Sequence, residues 1–133
     1  IIFDAAGNPG NLDPQSYIER GWMKDGSAPS AERIEINGRP AATAAFDGKV
    51  GGRPATIRLV AVEWKPGVMY RFQMAYPPGS GGALVDALKR TTYSLRPLTA
   101  AEKQDIKPYR LRIVTAKAGD TVATLAGRMA YDD

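Results

Sequence analysis

The sequence predicts an α+β domain in which an antiparallel meander of strands carries helices packed against it. Residues 31–76 read as strands, Ile34 and Ile36 and then Val68, Tyr70, Phe72 and Met74 recurring with a period of two, separated by turn signals at Asn37-Gly38, Asp47–Gly52 and Lys65-Pro66-Gly67. On either side, apolar residues recur at helical spacing, Ile18 and Trp22 before the meander and Leu84, Val85 and Leu88 after it. The chain has 133 residues, 44% hydrophobic and 24% charged, an ordinary globular composition able to bury roughly two-thirds of its unfolded surface.

Taken in order, Asn8-Pro9-Gly10-Asn11 reads as a loop. Asp13 then stands at an N-cap and Pro14 at the first helical position, where its missing N–H costs nothing. Leu12 and Tyr17 are spaced to staple that cap, and Asp25-Gly26 closes the helix. Ile34 and Ile36 form a strand that turns at Asn37-Gly38, the strongest short hairpin signal. The return strand, Ala41–Phe46, is expected at an edge because Pro40 cannot donate to a ladder. Asp47–Gly52 is expected to be the next turn. Ala55–Trp64 has Ile57, Leu59 and Ala61 on one face and Val60, Val62 and Trp64 on the other, the mark of a central strand covered on both sides. Val68–Ala75 completes a four-strand meander.

After the helix through Leu84, Val85, Leu88 and Thr92, an extended Tyr93–Arg96 stops at Pro97. Thr99-x-x-Glu102 is a capping box opening a short helix that ends at Pro108. Tyr109–Thr115 reads as a last strand. A final helix follows, with Val122, Leu125, Ala126 and Met129 on one face and Gly127 in its interior.

Two absences restrict the chemistry: the chain has no His and no Cys. A Ser-His-Asp triad, a cysteine nucleophile and a thiolate metal centre are excluded, and a zinc site would have to be all-carboxylate. Disulfides are excluded too, so cysteine usage says nothing about redox compartment. The net charge of +4 suits an anionic surface without specifying one. The tightest basic group, Lys103, Lys107, Arg110, Arg112 and Lys117, has no interleaved aromatics and reads as a solvated edge, not a nucleic-acid surface. The longest apolar runs, such as Leu59–Val62, are strand-sized, well short of the ~18 residues of a membrane span. A start at Ile1 rather than Met reads as a processed product or an excised segment.

Individual motifs mostly take ordinary readings. Gly79-Ser80-Gly81-Gly82 before a helix suggests anion binding, but Leu84 stands where a dinucleotide fingerprint needs glycine and Pro78 spoils a nucleophile elbow. Glu35 and Glu63 lie on strands and would serve as a catalytic pair only at a specific separation; acidic residues on a wet sheet face are the ordinary explanation. Trp22 and Trp64 sit at core-facing positions. A small enzyme working through carboxylates or Lys is the weakest of the functional readings.

The segment from Tyr109 to Ala126, with its Gly119-Asp120-Thr121 turn between a strand and an apolar-faced helix, resembles the first half of a LysM module. That resemblance implies binding of N-acetylglucosamine polymers such as peptidoglycan, with Gly119, Asp120 and Thr121 as glycan contacts. No second helix and strand follow, so the segment reads as a truncated module whose last helix would pack on the first domain or on a neighbouring copy. Together with Leu88–Glu102 and Ile106-Lys107-Pro108, it looks like the non-catalytic C-terminal region of bacterial zinc metalloproteases of the CAAX-prenyl-protease-like peptidase family. The meander with flanking helices resembles the PsbP-like α/β/α sandwich. The organisation expected is an α+β accessory domain over 1–98, a helical linker over 99–108 and a truncated LysM-like strand–helix over 109–133. These resemblances imply a periplasmic or envelope location and, as partners, the parent's catalytic domain and a protein substrate or peptidoglycan. They imply no catalytic residue, metal or cofactor in this chain. Zinc and the His-Glu-x-x-His motif belong to the parent.

Overall fold

A strand with apolar side chains on both faces needs a layer on each, and β4 (Arg53–Lys65) is that strand. The computed structural model describes residues 1–23, 30–106 and 113–127. The other strands are β1 (Ile2–Gly7), β2 (Glu32–Ile36), β3 (Arg39–Val50) and β5 (Val68–Tyr76). All five form one antiparallel sheet in the order β1-β5-β4-β3-β2, with β4 at its centre. Leu59 and Ala61 of β4 face one core with Ala42, Ala44 and Met69. Val60 and Val62 face the other with Ala41, Phe72 and Met74.

The first face is covered by α1 (Pro14–Ser16) and the π-helical turn Tyr17–Trp22 that continues it. Asp13 caps as expected, its Oδ1 accepting from the backbone N–H of Gln15 and Ser16 at 3.1 and 3.2 Å. Leu12 joins the cluster around Tyr17. The expected single α-helix is corrected to this wider turn. A Cβ at Gly21 would come within 3.3 Å of the Tyr17 ring and 3.4 Å of Leu12, so glycine lets the backbone close around that ring.

The second face is covered more sparsely, by α2 (Gly82–Tyr93). Leu88 and, beyond the helix, Leu95 reach the core, while Thr92 is the helix's one buried residue. Asn37 in the β2–β3 turn pins the end of α2. Its Nδ2 donates to the carbonyls of Tyr93 and Leu95 at 2.9 and 2.8 Å.

Three further expectations are corrected. The meander has a fifth strand, β1, which pairs with β5 through Ile2↔Gln73 to Gly7↔Val68. As an edge strand with Ile2 and Phe3 more than half exposed, it lacks the alternation that marks a half-buried strand. β3 is interior, not an edge. Pro40 is tolerated because it opposes Glu35 next to the Ile36↔Arg39 pair that closes the two-residue turn, and the β4 ladder begins only at Ala41↔Val62. Asp47–Val50 belongs to β3, and the turn is Gly51-Gly52 alone, with φ of +57° and +77°. Gly48 pairs with Ala55 within the strand, and a Cβ there would lie 2.6 Å from Ile57 Cδ1, too close for any residue but glycine unless Ile57 shifts.

Polar side chains fasten the first loop and the β1 edge. Asn8, 4% exposed, donates from Nδ2 to the Leu12 carbonyl at 2.8 Å and accepts from the Leu12 N–H at 3.1 Å. Its own N–H reaches the Gly67 carbonyl in the β4–β5 turn at 2.8 Å. Opposite one another across β1 and β5, Asp4 and Arg71 form a two-point pair, Nε to Oδ1 at 2.8 Å and Nη2 to Oδ2. The Arg71 guanidinium also lies 4.9 Å from the Trp22 ring centre. The Arg71 hydrogen bond holds the Asp4 carboxyl below the usual carboxylate range, and hydrogen bonds from Ser16 do the same for Asp13.

The chain divides into two compact units, Ile1–Arg96 and Pro97–Asp133. In the second, α3 (Ala100–Asp105) begins at the expected capping box: Thr99 Oγ1 accepts from the Glu102 N–H at 3.2 Å, and Glu102 Oε2 from the Thr99 N–H at 2.8 Å. Of the expected strand Tyr109–Thr115, residues 109–112 lie outside the described residues and 113–115 have no regular structure. The last helix, α4 (Val122–Ala126), ends at Gly127, which is its C-cap and not an interior residue. Met129, the Asp25-Gly26 stop and Lys107, Pro108, Arg110 and Arg112 lie outside the described residues. Val122 is 86% exposed in the single chain.

Asn8→Ala leaves two loop backbone groups without their partner, so chemical denaturation is expected to show a loss of about 1–3 kcal/mol. Because Asp4 has a lowered folded pKa, its contribution is complete above the unfolded value of about 3.9 and disappears as pH falls through the lower folded value. Stability curves of the parent chain and Asp4→Asn are therefore expected to differ at neutral pH by roughly 0.5–1 kcal/mol and to converge as pH falls through the lowered folded pKa of Asp4.

Candidate functional site

The Gly119-Asp120-Thr121 turn forms, and its side chains serve the turn. Gly119 takes φ of +96°, which a side chain would resist. Asp120 Oδ2 accepts from the Lys117 N–H at 2.8 Å, and Asp120 N–H donates to the Lys117 carbonyl at 3.0 Å. Thr121 caps α4 reciprocally with Thr124. Helix initiation therefore accounts locally for the presence of these three residues.

Glu35 and Glu63 are not brought together. They sit on β2 and β4 with β3 between them, a spacing of about 10 Å across the sheet. Among the described residues no group of three acidic side chains could hold a metal ion. Trp22 lies against Tyr17, with ring centres 6.3 Å apart. Trp64 stacks on Tyr70 at 4.6 Å and is covered by the Arg39 guanidinium at 4.0 Å. Phe3 meets Tyr70 edge-on at 5.4 Å, so an aromatic row continues to β1. Cross-strand packing thus uses one face of Trp64, and Arg39 the other.

A residue that sequence reasoning did not single out is better placed. Arg58 stands on β4 with the parity of Val60 and Val62, so it rises from the second face of the sheet beneath α2. There a cleft of about 310 Å³ opens, with Ile34, Val60 and Met74 in its sheet wall and Leu88, Lys89 and Thr92 in its helix wall. Arg58 Nη1 donates to Thr43 Oγ1 at 3.2 Å, and the Thr43 hydroxyl donates to the Leu59 carbonyl at 3.1 Å. Arg58 Nε is sealed from solvent and has no hydrogen-bond partner. Among the described residues the ion pairs are Asp13–Arg33 and Asp4–Arg71, so no carboxylate balances Arg58. The signal for it was present in the sequence: a charge at an apolar-parity position of the central strand.

Comparison with protein-family models, curated protein sequences and solved structures finds no significant match.

A partly buried guanidinium with an unmet donor is a cost to the fold. Arg58→Met keeps the stem, removes that donor and leaves Thr43 bonded to Leu59. Thermal and urea unfolding are expected to show unchanged or increased stability, by up to about 1–3 kcal/mol.

Proposed function

We propose that this chain is a non-catalytic accessory domain of a larger periplasmic or envelope zinc metalloprotease, positioning the protease on a protein substrate, a partner or the cell wall. The observation that carries this reading is the pattern running from Leu88-Lys89-Arg90 through Thr99–Glu102 to Gly119-Asp120-Thr121. Its capping box and its Gly-Asp-Thr helix start support the reading locally. A chain without His or Cys leaves zinc ligation and peptide hydrolysis to another part of the parent. In this reading the first unit is a PsbP-like α/β/α scaffold and the second a truncated LysM-like segment. The exposed positions of Gly119 and Thr121 favour a second reading, a module for peptidoglycan.

The test begins with the parent gene: the reading frame upstream of Ile1 is expected to encode His-Glu-x-x-His, and its absence removes the proposal. Deleting the present residues from that parent is expected to leave zinc-dependent cleavage of a short peptide within about twofold. The same deletion should lower processing of a folded substrate or retention on the envelope by about tenfold or more. Retention of the chain, extended past Asp133, on purified peptidoglycan selects the second reading; no retention eliminates it.

A further inference from the structure

The cleft under α2 has the ingredients of a ligand site. Its volume of about 310 Å³ falls at the small end of small-molecule pockets. Its walls are apolar where Ile34, Val60, Met74 and Leu88 contribute, and Arg58 is the cation on its sheet side. Thr43 engages one end of the guanidinium, at Nη1. Nε–H and the neighbouring Nη2–H point the same way in any guanidinium, forming the side-on fork that pairs with both oxygens of a carboxylate. At Arg58 no hydrogen bond from either atom of this fork is made, and no carboxylate of the described residues pairs with it. The arginine is thus oriented by the protein through one edge and unspent on the other.

We propose that this cleft binds a monocarboxylate with an apolar body, the carboxylate on the Nε–Nη2 edge of Arg58 and the body against Val60, Met74 and Leu88. One fork matches one carboxylate. Glu32, also in the cleft wall, repels a phosphate dianion about twice as strongly as a monocarboxylate. Binding must uncover Nε by moving side chains around it, and those that the helix sets in the cleft wall are Leu88, Lys89, Thr92 and Tyr93. A free aliphatic acid and the C-terminus of a peptide ending in an apolar residue share this chemistry. Neither requires a protease parent, so this inference and the proposed function fail separately.

Calorimetric titration of the full 133-residue chain with octanoate, and with acetyl-Ala-Ala-Leu bearing a free C-terminus, tests the proposal. Octanamide and the amidated peptide serve as neutral counterparts. Saturable binding of at least one acid is expected, with its amide weaker by about tenfold or more. The acid that binds identifies the source. Arg58→Met is expected to lose that binding while its melting temperature does not fall. Arg58→Lys, which keeps the charge but not the fork, is expected to bind several-fold more weakly, and it carries the same test if the methionine variant does not fold. Absence of saturable binding by both acids at millimolar concentration overturns the proposal. So does an amide that binds as well as its acid, or binding unchanged in the arginine variants.

Discussion

Burying both faces of β4 is the constraint on which the rest of the structure depends. Leu59 and Ala61 on one face and Val60 and Val62 on the other are at most 3% exposed, and a single sheet cannot achieve that without a layer on each side. The two layers solve the problem differently. On the first face the sheet offers the small side chains Ala42, Ala44 and Ala61, against which Tyr17 and Ile18 descend from a short helical turn. Small residues on the sheet let bulky ones from the helix fill the gap, so a few residues of π-helix suffice as a cover. On the second face the sheet supplies the bulk itself, through Val60, Val62, Phe72 and Met74, and α2 contributes Leu88 with little else.

That asymmetry connects the fold to the candidate site. A cover meeting the sheet at Leu88, Thr92 and Leu95 leaves space beside those contacts, and Arg58 rises into it. Farther along the same face the aromatic row of Trp64, Tyr70 and Phe3, closed at one end by Arg39, shields the sheet where the helix does not reach. Elsewhere on the sheet Arg71 is matched by Asp4. Against that background an arginine held by a threonine hydroxyl and no acid stands out chemically, because partial burial magnifies the cost of an unmet donor.

Local signals in the chain were legible where they act over a few residues. Asn37-Gly38 makes its hairpin with φ of +49° and +76°, Asp13 caps α1, and Thr99 and Glu102 cap each other. The two-sided pattern of β4 correctly placed it at the centre. β1 was not legible because its pairing partner lies some seventy residues away, at Val68–Gln73, and its outward side chains have no polar alternation. The close approaches at Gly21 and Gly48 were hidden for a related reason: the Tyr17 ring and Ile57 come against these glycines only in the folded chain. At the site, the parity of Arg58 could be read from the chain, but the absence of an acid beside it could not.

The sequence by itself determined the α+β class, the central strand, the hairpin turns and caps, and the exclusion of His and Cys chemistry, because periodicity, capping and composition are properties of neighbouring residues. Tertiary structure alone decided that β1 completes the sheet, that β3 is interior, and that Arg58 stands in a cleft with one edge of its guanidinium unspent. Those outcomes depend on which distant side chains come together and on which ones leave a space between them.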